Sequence, residues 1–486
     1  RRFAITNLPE LPADFVPGGR TAVCMPICEE PVDRVFAGLR AIRESLVRTG
    51  ASGQFDIFIL SDSNTPDTIV AEEAAWAAWC REVNGFGSIF YRRRRVRVRR
   101  KSGNVADFCR RWGAQYRYMI MLDADSIMAG STLLRLVHLM EQRPDAGMIQ
   151  TAPTAVNRRS LLARVQQFSG RVYGPMFAAG LHFWQLGDGQ YWGHNTIIRI
   201  APFMEHCALP KLPGKPPLGG EILSHDFVEA ALMGRAGWTL WLAYDLSGSW
   251  EEVPSTLLEE MGRDRRWCQG NLQHIKVAVS RRLHWVSRLH LAIGIMSYVT
   301  SPLWLVFLLL SAAQAWELAY GAPVYFVEGW PFPTLPVSVA GEATVLLCFT
   351  LGLLFMPKLF GIAVAAADRR RRRNLGGVFR IVSSAVVETF LSALVAPIMM
   401  LFHTNYVATT LLGSAIEWKP QRRQASGGAW SEAIRTFGGV TLIGLAAAVA
   451  TYLWTPLLFF WLIPVFAGLV LAIPLAVYTG SDSVGH

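Results

Sequence analysis

Apolar runs alternate with helical periodicity through the first half of the chain. The run Thr21–Ile27 and the runs at 56–60 and 116–122 are short and continuously apolar, which is typical of buried strands. Residues 33–48 carry apolar side chains at the spacing of a helix face, and a second helix is expected around 68–82. Because strands and helices alternate, we predict an α/β fold with a mostly parallel sheet covered on both faces.

The second half of the chain has a different pattern. Residues 286–480 hold most of the long apolar stretches, and a helix needs about 20 apolar residues to cross a bilayer. Candidate spans lie at about 289–316, 342–366, 439–453 and 456–478. We therefore predict three parts: a linker over 1–20, a globular α/β domain over 21–285, and a module of transmembrane and interfacial helices over 286–480.

Charged residues between the candidate spans predict the orientation of this module. Residues 369–373 are five consecutive arginines, and Lys419, Arg422 and Arg423 mark a second basic loop. The loop at 317–338 contains two glutamates and no Lys or Arg. Because basic loops concentrate on the cytoplasmic side of membrane proteins, we expect these loops and the globular domain to face the cytoplasm.

The apolar segment 378–413 does not fit a simple crossing, because both of its flanks are basic. It must cross an even number of times or not at all. Polar or helix-distorting residues, among them Arg380, Glu388, Pro397 and His403, interrupt it. We predict that it forms interfacial or re-entrant helices.

The net charge of +11 and the basic run at 92–101 leave two alternatives. One is a nucleic-acid binder, and the other is a membrane protein with basic cytoplasmic loops. Tyr91 is the only adjacent aromatic residue, so stacking on bases is poorly supported and the second alternative is favoured. The alternation over 95–99 fits a strand with one charged face, and Lys101 is expected in a flexible turn that could meet a phosphate.

The cysteines and the chain start add two expectations. Seven cysteines without paired spacing predict neither a disulfide framework nor a zinc site, and they favour reduced thiols in a cytosolic domain. The chain begins Arg-Arg-Phe and shows no secretory signal, so we expect it to lack its natural N-terminus, with room for further spans upstream.

Acidic residues follow two of the predicted strands. Asp123 and Asp125 come directly after the run at 116–122, and Asp62 follows the run at 56–60. Ligands bind beyond the carboxyl ends of parallel strands, and paired carboxylates suit Mg²⁺ or Mn²⁺ beside a diphosphate. The alternatives are a solvated loop for the acid pair and a turn or helix cap for Asp62.

Two further segments carry candidate chemistry. Asp226 stands at a loop-to-helix junction, where it could act as a general base toward a sugar hydroxyl or serve as an N-cap. Arg266 could stabilise a leaving diphosphate, and Trp267 offers a flat apolar face to a sugar ring. The alternative for this pair is a juxtamembrane belt of basic and aromatic residues.

The order of these residues resembles the processive family 2 glycosyltransferases, such as the bacterial cellulose and hyaluronan synthases. The resemblance covers residues 20 to about 480. It rests on an ordered set of residues: Asp62, Lys101, Asp123-x-Asp125, Gly193-His194-Asn195, Asp226 and Arg266-Trp267, followed by apolar helices. It implies a GT-A-type glycosyltransferase domain that inverts the configuration of the sugar it transfers.

The family's donor-side roles transfer residue by residue. Asp62 would contact the uridine, and Lys101 would approach the nucleotide or its phosphates. Asp123 and Asp125 would form the family's DxD pair, with Asp125 as the direct metal ligand. Asp226 would take the place of the catalytic base.

The resemblance also implies an acceptor side. Arg266 and Trp267 match the end of the family's Q-x-x-R-W motif and would hold the diphosphate and the acceptor sugar. Gly193, His194 and Asn195 would line the acceptor side.

Two positions depart from the family pattern. Arg263 stands where the Q-x-x-R-W motif has Gln. The family's Thr-Glu-Asp reads Ser224-His225-Asp226, so the aspartate is kept and the middle carboxylate is lost.

Longer strings, including LSHDFVEAALM and RDRRWCQGNL, resemble the branch of the family that makes osmoregulated periplasmic glucans in Gram-negative bacteria. This implies a β-1,2-linked glucan made from UDP-glucose with Mg²⁺ or Mn²⁺, by a multi-pass inner-membrane protein that also exports it. The implied partners are the growing β-glucan, membrane lipid, an acyl carrier protein and a periplasmic glucan-modifying protein, with no nucleic acid. The alternatives are a synthase of another β-glucan such as cellulose, or a membrane transporter with a nucleotide-sensing domain.

Overall fold

The structure, a computed structural model, describes residues 5–6, 11–12, 14–321, 332, 340–414 and 430–485. The basic loop predicted at 419–423 and Glu328 of the acidic loop lie outside these residues.

The globular part alternates strands and helices in the predicted order. Its strands are β1 (Thr21–Ile27), β2 (Phe55–Ser61), β3 (Ile89–Arg93), β4 (Tyr118–Met121), β5 (Ile127–Met128), β6 (Ala146–Thr151), β7 (Thr154–Ala155), β8 (Thr196–Arg199), β9 (Thr239–Ala243) and β10 (Ser249–Glu251). Its helices are α1 (Val32–Val47), α2 (Pro66–Glu82), α3 (Arg100–Trp112), α4 (Gly130–Gln142), α5 (Leu161–Val172), α6 (Gly174–Gln185), α7 (Ile200–His206), α8 (His225–Arg235) and α9 (Leu257–Ala278). The three strands and two helices read from the apolar pattern are confirmed.

A seven-stranded sheet forms the centre of this part, in the order β3-β2-β1-β4-β8-β6-β9. Strand β8 runs antiparallel to both of its neighbours, and every other adjacent pair in this sheet is parallel. A smaller sheet, in the order β5-β10-β7, stands beside it. The prediction of a mostly parallel sheet is therefore confirmed.

Helices cover both faces of the main sheet. On one face, α1, α2 and α4 pack against the sheet through buried side chains such as Leu39, Trp79 and Val137. On the other face, α3, α7 and α8 contribute side chains such as Phe108 and Met233. Because both faces are buried, the strand ends are the part of the sheet left open to a ligand.

The basic run does not form the strand predicted over 95–99. Arg94, just after β3, is buried, and its guanidinium bonds Asp62 and the backbone oxygens of Val98 and Arg100. The backbone of Arg100 adopts a positive φ of 47°. A segment that folds back around one guanidinium cannot remain extended, so these residues form a turn that leads into α3.

The rest of the described chain is helical. Its helices are α10 (Trp285–Tyr320), α11 (Ala340–Ala367), α12 (Arg369–Asn374), α13 (Val378–Leu411), α14 (Trp430–Trp454), α15 (Pro456–Val470) and α16 (Ala472–Thr479). In the described part of the chain, α10, α11, α13 and α14 are long and apolar enough to cross a membrane. A bend of 55° separates α15 from α16, and the pair would count as a fifth span if taken together.

Residues 378–411, predicted as interfacial or re-entrant helices, form one continuous helix, α13. Pro397 lies inside this helix without ending it. The polar side chains of α13 contact protein: Glu388 bonds Lys358 on α11, and His403 lies 3.1 Å from Asp264 on α9. A long apolar helix tolerates such residues when their partners belong to neighbouring helices.

Glu388 is the centre of a polar cluster that joins the globular part to the helical module. Lys358 donates from Nζ to both carboxylate oxygens, at 3.0 and 2.8 Å. Tyr173, which lies between α5 and α6, donates to Glu388 at 3.3 Å. The carboxylate is buried, so its charge depends on these partners.

We expect Lys358→Ala to lower the free energy of unfolding by about 3 kcal/mol, because it leaves the Glu388 carboxylate buried without its cation. Lys358→Arg keeps the charge and should lose much less. Melting temperatures of the detergent-solubilised protein check this difference. Equal melting of both variants would show that the pair does not stabilise the fold.

Candidate active site

A large cleft opens where the strands of the main sheet end, and it continues against the helical module. Its volume is about 2510 Å³. Residues from α6, α9, α10 and α13 contribute to its walls. The predicted site residues that line it are Asp62, Lys101, Asp123, Asp125, Gly193, His194, Asp226, Arg266 and Trp267. Residues far apart in the sequence therefore share one cleft.

The Asp123-Ala124-Asp125 triplet follows β4 and lines the cleft wall. Lys101 donates from Nζ to the Asp123 carboxylate and to the backbone oxygen of Gly193, which is 2.8 Å away. Lys101 lies in the first turn of α3 and not in the flexible turn predicted for it. It joins the acidic loop to the Gly193 loop and brings a cation to the cleft.

Asp62 lines the cleft, but its carboxylate is already occupied. Arg94 donates to both oxygens, at 2.7 Å from Nε and 2.6 Å from Nη2. This bidentate pair has strong directional preference. Asp62 therefore fixes the turn that carries the basic residues Arg97, Arg99 and Arg100 along the same cleft.

Asp226 lies in the first turn of α8, directly against Gly193. A Cβ at Gly193 would lie 3.2 Å from Asp226 Oδ2, and the φ of Gly193 is 91°, so both the space and the backbone require glycine. Burial raises the pKa of Asp226, and the nearby Glu229 raises it further. His225 and Lys101 lower it, but the net pKa of Asp226 is raised. A carboxylate with a raised pKa is a better proton acceptor, as a general base requires.

Helix α9 fixes the start of α8. The Gln273 side chain accepts a hydrogen bond from Leu223 N at 3.0 Å, and His274 Nε2 lies 2.9 Å from the backbone oxygen of Ser224. Burial lowers the pKa of His274 to about 4, so the neutral ring can donate. A Cβ at Gly270 would lie 2.1 Å from Ser224 Oγ, so the glycine permits this close packing. The position of Asp226 therefore depends on α9.

The same helix presents Arg266 and Trp267 to the cleft. The Trp267 side chain is 48% exposed, and the Arg263 guanidinium lies over its ring, 4.6 Å from the centroid. Arg263, which departs from the expected Gln, therefore supports the indole through a cation–π contact.

The structure separates the predicted 193–195 triplet. Gly193 and His194 line the cleft, whereas the Asn195 side chain is fully buried and donates to Ser249 Oγ at 2.7 Å. Asn195 therefore attaches β8 to β10, and the structure does not place it on the acceptor side as predicted. Its backbone has a positive φ of 50°.

Glu251 is a cleft residue that the sequence analysis missed. Its Oε2 lies 3.5 Å from His194 Nε2. Burial raises the pKa of Glu251, and the nearby Asp125 and Asp123 raise it further. His194 lowers it, but the net pKa of Glu251 is raised. Strand β10 pairs with β5 and with β7, where Glu251 lies opposite Ala155. No local sequence pattern reveals these pairings.

The carboxylates of Asp123, Asp125 and Glu251 in the cleft fit a divalent cation in part. Among the described residues, no group of three or more His, Cys, Asp and Glu could hold a metal ion by itself. Asp123 and Asp125 nevertheless lie close enough to Glu251 to raise its pKa, so negative charge is concentrated there. Mg²⁺ usually binds through one or two carboxylates and takes its other ligands from phosphates and water. These residues therefore suit a cation that is shared with a bound diphosphate.

Two family models match the chain. "Glycosyl transferase family 2" matches residues 22–207, and "Glycosyl transferase family group 2" matches residues 118–356. Each match contains the Asp123–Asp125 triplet, and the second also contains Asp226 and Trp267.

Curated proteins named glucans biosynthesis glucosyltransferase H are similar over nearly the whole chain. The protein of Cupriavidus pinatubonensis is 54% identical over 475 residues, which are 98% of this chain and 55% of the relative. That of Pseudomonas aeruginosa is 51% identical, covering 96% of this chain and 54% of the relative. That of Ralstonia nicotianae is 50% identical, covering 100% and 56%. The chain thus spans about half the length of these relatives.

Solved structures are similar at low identity. The mannosyltransferase PcManGT of Pyrobaculum calidifontis, in complex with GDP-Man and Mn²⁺, has a TM-score of 0.42 and 15% identity, covering 78% of this chain and 88% of that one. Glucosyl-3-phosphoglycerate synthase of Mycobacterium tuberculosis has a TM-score of 0.34 and 12% identity, covering 56% and 87%.

Proposed function

Since the chain belongs to the family 2 glycosyltransferases, we propose that it transfers glucose from UDP-glucose to the end of a growing β-glucan. The fold class predicted from the sequence, a GT-A-type domain followed by apolar helices, is confirmed. The relatives' name, glucosyltransferase, supports glucose as the transferred sugar.

The shared cleft is the observation that carries this proposal. The acid pair Asp123 and Asp125, the base candidate Asp226, and the Arg266–Trp267 pair all line one cavity. Transfer from a nucleotide sugar needs a site for the diphosphate, a proton acceptor and a surface for the acceptor sugar. Residues of the type suited to each of these three tasks line the same cleft.

We assign a single displacement with inversion. Asp226 accepts the proton of an acceptor hydroxyl, and the hydroxyl oxygen attacks the anomeric carbon from the face opposite the diphosphate. The bond between that carbon and the diphosphate oxygen breaks, so an α-linked donor gives a β-linked product. Arg266 and Lys101 would offset the charge of the departing UDP.

The donor side of the cleft would hold the nucleotide and its metal. Asp125 and Asp123 would bind Mg²⁺ or Mn²⁺, which would neutralise charge on the diphosphate. Asp62 would border the uridine site, with its carboxylate held in place by Arg94. On the acceptor side, Trp267 would carry the terminal sugar, and Gly193 and His194 would line the same side.

The helical module supports a membrane location and a path for the product. Ser297 and Tyr298 of α10 and His403 of α13 also line the cleft, and both helices are long and apolar enough to cross a membrane. Polar groups on such helices commonly mark the path of a polar substrate. We place the protein in the bacterial inner membrane with its catalytic domain in the cytoplasm. We also propose that synthesis of the glucan is coupled to its export across that membrane.

The product class follows from the likeness to the glucan synthases. We assign a β-1,2-linked backbone of an osmoregulated periplasmic glucan, with membrane lipid around the helices. An acyl carrier protein and a periplasmic glucan-modifying protein are the proposed protein partners. Another β-glucan, such as cellulose, is the alternative product.

Donor comparison and linkage analysis test this function. Purified protein would be incubated with Mg²⁺ and, separately, UDP-glucose, UDP-galactose, UDP-N-acetylglucosamine or GDP-mannose. We expect polymer and nucleotide release only from UDP-glucose, and methylation analysis should give 2-linked glucose. Polymer from another donor would overturn the donor assignment, and UDP-glucose binding without turnover would instead favour a nucleotide-sensing transporter.

Gly193→Ala should reduce kcat by about tenfold or more, because a strained backbone costs about 1–3 kcal/mol and the new methyl group would press on Asp226. UDP affinity should stay near the wild-type value, since the change lies on the acceptor side. Steady-state kinetics and UDP titration measure the two effects. Gly53→Ala, at an exposed glycine outside the cleft wall where a methyl group would meet nothing within 4 Å, is the matched control. Equal activity in both variants would contradict the close contact.

A further inference from the structure

His225 departs from the family pattern immediately before the base candidate, and the structure gives it a buried partner. Its Nδ1 lies 3.1 Å from Oε1 of Glu229, one helical turn further along α8. The His225 side chain is 12% exposed and that of Glu229 is 6% exposed. His225 also lines the cleft beside Asp226.

The charges of this pair depend on each other. A buried carboxylate is costly without a cation beside it. Burial alone would lower the pKa of His225, and Lys101 also lowers it. The carboxylates of Glu229 and Asp226 raise it by more, so the net pKa of His225 is raised. The surrounding charges therefore favour the imidazolium form of His225, which compensates Glu229.

We propose that His225 and Glu229 form a positioning pair that keeps Asp226 ionised and in place: the imidazolium balances the buried Glu229 carboxylate and supplies positive charge next to Asp226. This inference rests on the proposed role of Asp226 as the base. The family's usual glutamate at position 225 would instead set a carboxylate against Glu229. This chain thus reaches the same aspartate through a different arrangement of charge.

Few other groups around the pair change charge near neutral pH. Burial lowers the pKa of His274 to about 4 and raises the pKa of the Cys109 thiol to about 12. Burial also raises the pKa of the Tyr191 phenol and of the Cys207 thiol. Lys101 on α3 contributes positive charge that lowers the pKa of His225. Among these described neighbours, His225 is the group placed to lose a proton as the pH rises above neutrality.

The direction of each effect follows from the charges. Loss of the His225 proton at alkaline pH removes positive charge beside Asp226 and leaves Glu229 uncompensated, so activity should fall on the alkaline side. A neutral residue at position 225 removes that positive charge at every pH. The pKa of Asp226 then rises, and the acid limb of activity should move to higher pH.

The pH dependence of kcat for glucan synthesis from UDP-glucose tests the pair. In His225→Gln, we expect the acid limb to move up by about 1 pH unit. In His225→Lys, which keeps a cation through the alkaline range, we expect the alkaline limb to move to higher pH and most activity to remain. UDP titration of each variant verifies that the donor side is folded, and His206→Gln, a histidine outside the cleft wall, is the control.

If the pH profile of kcat keeps the acid and alkaline limbs of the wild type in both His225 variants, the positioning role is overturned, whether or not kcat itself is lower. His225 would then serve only to pack against its neighbours. If His225→Gln no longer binds UDP, the double variant His225→Gln with Glu229→Gln removes the unpaired carboxylate. That double variant should fold, and its kcat should not fall at alkaline pH. A fall in kcat at alkaline pH like that of the wild type would overturn the inference. A wild-type protein that does not consume UDP-glucose would instead overturn the proposed function.

Discussion

Asp226→Asn should reduce kcat by about 10³-fold, which is the size of effect typical for loss of a general base. The amide has nearly the same shape as the carboxylate, so it should keep its place against Gly193 in the first turn of α8. It cannot accept the proton of the acceptor hydroxyl. UDP affinity should be unchanged, because the substitution leaves the acid pair and Lys101 intact.

The measurement is steady-state glucan synthesis at saturating UDP-glucose, together with calorimetric titration of UDP. Asp188→Asn is a matched control, since that carboxylate is 53% exposed and lies outside the cleft wall. An Asp226→Asn variant that retains most of the wild-type kcat would exclude Asp226 as the base. Equal losses in both variants would point to a general loss of folding.

Asp125→Ala should lower kcat/KM for UDP-glucose by about 10²-fold or more, because metal neutralisation of a leaving diphosphate is worth several kcal/mol. The variant should also lose the dependence of UDP binding on the cation. Asp125 lines the cleft directly after β4, and Asp123 beside it is bonded by Lys101. The resemblance to the family's DxD pair assigns Asp125 to direct contact with the metal.

Titration of UDP with and without Mn²⁺ checks this expectation. The wild type should bind UDP more tightly with Mn²⁺, and Asp125→Ala should bind it with equal affinity in both conditions. Asp33→Ala, an exposed aspartate in the first turn of α1, should behave like the wild type. A response to Mn²⁺ in Asp125→Ala like that of the wild type would move the metal away from this carboxylate.

The parts of the site that the sequence predicted are those with local signals. Short apolar runs mark β1, β2 and β4, and an acid placed directly after such a run lies at the open edge of the sheet. Asp62, Asp123 and Asp125 were found in this way. The family resemblance added Asp226, Arg266 and Trp267 to the candidate site, and the structure places all three along the same cleft.

The parts that the sequence did not predict depend on long-range contacts. Glu251 lies near the acid pair because β10 pairs with both β5 and β7. Asn195 is buried because its amide meets Ser249, a residue 54 positions later. The guanidinium of Arg94 bonds Asp62 and draws the basic run out of an extended conformation.

The helical module shows the same limit. Because both flanks of residues 378–413 are basic, the sequence predicted interfacial or re-entrant helices there. The polar residues of this segment instead find partners on other elements, Glu388 with Lys358 and His403 with Asp264. A flank-charge rule contains no information about such partners, so it could not predict one continuous helix.

The configuration of the transferred glucose, measured with and without a divalent cation, tests the central claim most directly. UDP-glucose labelled with ¹³C at the anomeric carbon would be supplied to the purified protein with Mg²⁺ or with EDTA, and the polymer examined by NMR. If the metal holds the donor and the acceptor attacks the anomeric carbon from the face opposite the diphosphate, the polymer should give only β-anomeric signals with Mg²⁺. No polymer should form with EDTA. An α-linked polymer, or equal synthesis in EDTA, would contradict it.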